Sequence, residues 1–141
     1  MHICANPPPH AVDVAAFLPP PLLSQLRVTL GRTHRLQVAT SWAGLDTLTR
    51  RSRVDVLVVD PTAEGPSAGV TAVVELSARH PSVPIVPYVS LSPESLRAVV
   101  ALARQGVEQV VLHRFDDEPT RFRELLERLA GDALTETLLA A

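Results

Sequence analysis

The chain lacks most of the features that would narrow its chemistry at a glance. Cys4 is the only cysteine among 141 residues, which excludes an intrachain disulfide and makes a reducing compartment the expectation. Aromatic side chains amount to 4%, so the core has to be assembled from Val, Leu and Ala. No apolar run approaches bilayer-spanning length, and the amino-terminal MHICANPPPH has neither the basic start nor the continuous apolar stretch of a secretory signal. A surplus of charge is missing too: the net charge of −2 forecasts neither disorder nor a grip on nucleic acid. There is no internal repeat and no glycine-rich phosphate loop of the G-x-G-x-x-G or G-x-x-x-x-G-K-[ST] kind. What remains is one domain with tails, expected in the cytoplasm and without a membrane span.

The strongest positive signal is VDVLVVDP, Val54 to Pro61. Its short apolar run is rich in β-branched residues, lacks polar alternation and ends on Asp60, as a strand covered on both faces would. In an open α/β sheet the carboxyl edge of such strands is where ligands bind.

Around this run, strand-like and helix-like segments alternate. Residues 1–11 form a proline-rich arm. Val12 to Leu18 reads as a first strand, and Pro19 to Pro21 then open a helix to Thr29 with Leu22, Leu23, Leu26, Val28 and Leu30 as its apolar residues and Gly31 as its cap. His34 to Thr40 reads as a second strand, and Ser41 caps a helix to Arg51 that carries Trp42, Leu45 and Leu48 on one face. After the strand Val54 to Val59 and a loop from Asp60 to Ala68, Val70 to Arg79 makes a third helix that His80-Pro81 ends. Pro84 to Ser90 is a fourth strand despite Pro87, whose missing donor suits a central strand poorly. Ser92 caps a fourth helix, with Ser92-x-x-Ser95 just short of a capping box, an apolar stripe of Leu96, Val99, Val100, Leu102 and Ala103, and Gly106 as its cap. Gln109 to Leu112 is a fifth strand, Asp116 to Glu118 an acidic loop, and Pro119 to Leu129 a last amphipathic helix. The repeated βα order predicts a three-layer α/β sandwich with right-handed crossovers. Residues 12–130 are thus the domain, and 131–141 a linker or the start of a further helix.

From His34 to Leu129 this order resembles the receiver domain of response regulators. The residues that carry the likeness are VDVLVVDP, ELSARHPSVPIVPYVS and ARQGVEQVVLHRF. The resemblance implies a flavodoxin-like (βα)5 fold with a five-stranded parallel sheet in the order 2-1-3-4-5. It also implies that Asp60 is equivalent to the phosphoacceptor, Ser90 or Val89 to the switch hydroxyl position, and His113 to the lysine after the fifth strand.

Receivers neutralise the incoming phosphoryl group with Mg²⁺ held by acids, a lysine and a hydroxyl. Here the place of the acidic pair reads AAFLPPP (Ala15 to Pro21), the only nearby acid is Asp13, and His113-Arg114 stands where lysine-proline is usual. A histidine near its ordinary pKa is not a dependable phosphate clamp. The expectation is therefore a degenerate receiver, with Asp60 accepting N–H bonds within its own loop. It is not an enzyme on this reading and has no cofactor, Mg²⁺ entering only if Asp60 is phosphorylated after all.

Other clusters carry less. His2, Cys4 and His10 lie in the proline-rich arm without a fourth ligand at metal-site spacing, and His113-Arg114 beside Asp116-Asp117 reads as a solvated loop with local ion pairs. Trp42 reads as partly buried against the sheet. Arg97, Arg104, Glu108, Arg121, Glu124 and Arg128 populate the fourth and fifth helices and the segment between, a face on which receivers dimerise. DALTETLLAA at the end has the composition of a helix leading onward, so a homodimer joined to a separate DNA-binding output domain is the expected setting, with no direct contact between this domain and nucleic acid or membrane. Two alternatives stay open: a receiver phosphorylated at Asp60, and a flavodoxin-like domain that binds a small molecule.

Overall fold

The computed structural model describes residues 11–64, 66–90, 92–107, 111–113 and 122–131. β1 (Asp13–Phe17), β2 (Arg35–Val38), β3 (Val56–Val59), β4 (Ile85–Ser90) and β5 (Val111–His113) alternate with α1 (Pro20–Leu30), α2 (Trp42–Arg51), α3 (Pro66–Arg79) and α4 (Pro93–Arg104). A further helix covers 122–131 and is called α5 below. The strands are parallel, in the order β2-β1-β3-β4-β5. β2, β1, β3 and β4 form one continuous ladder, and β5 joins through the outer half of β4 alone, with Tyr88, Val89 and Ser90 level with Val111, Leu112 and His113.

Strict alternation of side chains along a strand divides the core in two. Val14, Ala16, Val56, Val58, Val86 and Tyr88 point to one face, where Leu22, Leu26 and Leu30 of α1 and Phe122 and Leu126 of α5 cover them. Ala15, Phe17, Leu57 and Val59 point to the other, against Leu45 of α2, Val73 and Leu76 of α3 and Leu102 of α4. The three-layer α/β sandwich thus follows from strands that are apolar on both sides.

Local signals set most boundaries. Ser41 accepts a hydrogen bond from Gly44 N at 2.9 Å and starts α2. Ser92 and Ser95 complete a reciprocal capping box at α4, Ser95 Oγ taking the Ser92 N–H at 2.9 Å and Ser92 Oγ the Ser95 N–H at 3.1 Å. A serine therefore does here what the motif usually assigns to glutamate, and the expectation of an incomplete box is corrected. Gly31 (φ 60) and Gly106 (φ 90) take the left-handed conformations that end α1 and follow α4. The third helix begins at Pro66, inside the expected loop, because proline fits the first turn as well as it fits a loop.

Pro87 is accommodated by its place in the ladder. Leu57 N donates to Pro84 O at 2.9 Å, so residues 84, 86 and 88 direct their backbone polar groups to β3. Pro87 therefore turns its nitrogen to the β5 side, one residue before that pairing begins at Tyr88.

Two polar ties outside the strands close the structure. His34 is a buried side chain that receives Val12 N–H on Nδ1 at 3.0 Å and meets Glu127 Oε1 with Nε2 at 2.9 Å. With Nδ1 accepting, the ring proton belongs on Nε2, which donates to the carboxylate. His34 thus lies outside the strand expected to include it and joins the start of β1 to α5. Tyr88 and Phe122 stack at 4.7 Å and reinforce the same docking of α5.

The second tie is Asp46 on α2, which meets His80 Nε2 at 2.8 Å, Arg50 Nε at 3.3 Å and Arg79 Nη1 at 3.5 Å. The hydrogen bond from His80 comes first, with the two arginines behind it, and together they hold the Asp46 carboxyl below its ordinary pKa. A depressed folded pKa means stability that is present above the ordinary carboxylate range and lost as pH falls through the folded value. Asp46→Asn should therefore be less stable than the parent at neutral pH, with the gap closing below about pH 4 in urea unfolding monitored by circular dichroism.

Candidate functional site

Asp60 ends β3 at the carboxyl edge of the sheet. It is 6% exposed, and its N–H donates to Phe17 O at 3.0 Å, which sets it beside the end of β1. Its carboxylate turns into its own loop: Oδ1 accepts from Thr62 N at 2.8 Å and from Thr62 Oγ1 at 2.7 Å, while Ala63 N donates to Asp60 O at 3.1 Å. This is an Asx turn, the arrangement expected from Asp-Pro-Thr.

The loop is fastened a second time, by a residue that sequence reasoning passed over. A Cβ built on Gly69 of α3 would lie 1.4 Å from Pro61 O and 2.3 Å from Pro61 C. The α3 backbone therefore rests directly on the peptide that follows Asp60, and only a residue without a side chain permits it. In sequence the signal is slight, since a glycine inside a helix reads first as a loss of propensity.

Among the described residues, no acid pair lies beside Asp60 at the end of β1. Beyond the register pair Phe17↔Val59, β1 continues into Leu18, buried in the core, and then Pro19, the N-cap of α1. Neither offers a metal ligand. Asp13 sits at the opposite edge, where it pairs with Arg35 at 2.7 Å and Arg53 at 3.6 Å, so it is no neighbour of Asp60. No group of three or more His, Cys, Asp or Glu residues among the described ones could hold a metal ion. No position in the sequence is a lysine.

At β4 the two candidates for the hydroxyl position separate. Val89 is buried, whereas Ser90 is exposed at the strand end, with its carbonyl receiving Ser95 Oγ. Ser90 is the register partner of His113, so these two positions do come together at the carboxyl edge. Trp42 packs edge-on against Phe17 at 4.8 Å, and its buried Nε1 has no acceptor among the described residues.

The charged residues expected at an interface divide. Arg97 and Arg104 are exposed on α4, Glu124 and Arg128 on α5, while Glu108 and Arg121 lie outside the described residues, as do His2, Cys4, His10 and the Asp116–Glu118 loop. The apolar stripe expected on α4 divides between core and solvent. Ser95, Ala98 and Leu102 are its buried residues, and Leu96 and Val100 are 44% and 49% exposed. They line a shallow groove with Arg97, Ala101 and Arg104. Val28, one of the apolar residues expected on α1, is likewise exposed. Among the described residues no helix is long and apolar enough to cross a membrane.

The Gly69 contact gives a direct test. Gly69→Ala should lower unfolding stability by about 1–3 kcal/mol in urea titration, the usual penalty for overpacking.

No family model matches the chain, and no curated protein is similar to it in sequence. By structure it is similar to NtrX from Brucella abortus, at 16% identity and a TM-score of 0.74, over 92% of this chain and 30% of that one. It is also similar to the N-terminal signal receiver domain of a two-component system response regulator from Bacteroides fragilis, at 15% identity and a TM-score of 0.68, over 85% and 98% of the two chains. The signal receiver domain of an HD domain-containing protein from Pseudomonas fluorescens Pf-5 gives 13% identity and a TM-score of 0.72, over 97% and 98%. The chain thus spans less than a third of NtrX and nearly all of the separate receiver domains. The fold is that of a receiver domain, as the sequence resemblance implied.

Proposed function

We propose that this chain is a receiver-like regulatory domain that transmits through protein contacts and does not use aspartyl phosphate. The observation that carries the reading is the setting of Asp60: a carboxylate bound by its own loop, beside Leu18 and Pro19, in a chain without lysine. A phosphoryl group there would bring anionic charge into a nearly closed site with no acid pair beside it, among the described residues, to hold a neutralising metal ion. On this reading the domain is not an enzyme, holds no cofactor, and keeps the fold of a phosphorylation switch for a contact role in the cytoplasm.

The contact surface we assign is the α4 face, with a second copy of the chain as its partner. Leu96 and Val100 are one helical turn apart and open to solvent, and Arg97 and Arg104 flank them. Glu124 on α5 supplies the opposite charge across the β5 edge. A surface with an apolar centre and charges of both signs can meet its own copy about a twofold axis. On this reading the domain belongs to a longer regulator with a DNA-binding output domain; the match to 30% of NtrX supports the longer chain alone.

Incubation with acetyl phosphate and Mg²⁺ should leave the intact mass unchanged; an adduct that disappears in Asp60→Asn would overturn the reading. In sedimentation equilibrium the parent should form a reversible dimer, and Val100→Asp should weaken it by about tenfold or more without altering the circular dichroism spectrum. An unchanged dimer in that variant would remove α4 from the interface.

A further inference from the structure

Helices α2 and α3 pack on the same face of the sheet, and a groove of about 210 Å³ lies between them. Trp42 and Ala43 line it from α2, and Ala72 and Leu76 from α3. Asp46, Glu75 and Arg79 complete the lining. The small side chains of Ala43 and Ala72 leave space that larger residues would fill. That space is well above the roughly 10–15 Å³ that holds one water, and below the roughly 300 Å³ at which pockets for drug-sized ligands begin. A molecule of one ring falls in that range.

The charged groups around the groove are already matched. Asp46 meets His80, Arg50 and Arg79, and Arg79 also reaches Glu75 at 3.9 Å, so two carboxylates face two guanidinium groups. One polar group is left over. Trp42 Nε1 is buried and has no acceptor among the described residues. A buried donor without a partner is costly, and nearly all such groups in folded proteins are met by protein, water or ligand. The indole touches Phe17 edge-on, and no hydrogen bond among the described residues fixes it. The outer torsion of an aromatic side chain is soft, so the ring can turn its N–H toward an acceptor that enters the groove.

We infer that the groove between α2 and α3 binds a neutral, single-ring molecule that carries a carbonyl oxygen. The Trp42 N–H donates to that oxygen, and the ring of the ligand lies against Leu76 and the two alanines. Matched charges around the groove favour neither an anion nor a cation, and an uncharged ligand has no ionic hydration to shed. The unmet donor favours an acceptor over a purely apolar molecule. No residue of the Asp60 loop or of α4 lines the groove, and the inference depends on neither.

The sole tryptophan gives the site a single indole N–H resonance in ¹H–¹⁵N correlation spectra. Benzamide should shift that resonance and the amides of Ala43 and Ala72 saturably. Benzylammonium and benzoate, which keep the ring and replace the neutral amide by a cation or an anion, should bind more weakly. Trp42→Phe, followed through the two alanine amides, should weaken benzamide by about fivefold, the loss of one hydrogen bond. Ala72→Leu fills the groove from a partly exposed position and should abolish the shifts. The inference is overturned if benzamide leaves the indole resonance in place, if either charged analogue binds as tightly, or if Trp42→Phe binds benzamide like the parent. Shifts that survive in Ala72→Leu would place the ligand elsewhere and overturn it too. So would a water cross-peak at the indole N–H that persists with benzamide bound, since water would then be the partner of the donor.

Discussion

Enclosure of β3 on both faces is the constraint from which the rest of the structure follows. Val56, Leu57, Val58 and Val59 are 0% exposed, which requires helices on either side, and returning helices require parallel strands with crossovers. A sheet so covered leaves polar chemistry only at its two ends. Its character therefore depends on what the strand and helix termini carry, and here the two ends differ. The carboxyl edge holds a buried aspartate tied into its loop beside Leu18 and prolines. The amino edge holds exposed arginines in excess of their acids.

At the carboxyl edge the loop that follows Asp60 is held at two points. Thr62 occupies Asp60 Oδ1 through both its N–H and its hydroxyl, and the following peptide lies against Gly69. To free Oδ1, two hydrogen bonds must be exchanged for water at a buried position. To displace the loop, α3 must move as well. The result is a fixed corner that supports the fold, while the open apolar positions Leu96 and Val100 lie elsewhere, on α4.

Much of this was legible in the residues, for identifiable reasons. Val56 to Val59 announces a two-sided strand by its lack of alternation, Ser41 and Ser92 announce helix starts, and Asp60-Pro61-Thr62 announces an Asx turn. What could not be read depended on contacts remote in sequence. Spacing shows that Leu96 and Val100 share a helical face but not that Ala98 and Leu102 take the inward one. His34 looks like one polar residue in an apolar segment until Val12 and Glu127 are placed at its two nitrogens. Gly69 gains meaning only when Pro61 is folded onto it.

The central claim is that the receiver fold here surrounds an aspartate that is closed to phosphoryl chemistry. Two-dimensional ¹H–¹⁵N correlation spectra recorded during titration with Mg²⁺ and beryllofluoride, a phosphoryl mimic, test it most directly. The account predicts that the amide resonances of Asp60, Thr62, Ala63 and Ser90 stay in place. Saturable shifts at those four positions, abolished in Asp60→Asn, would contradict it.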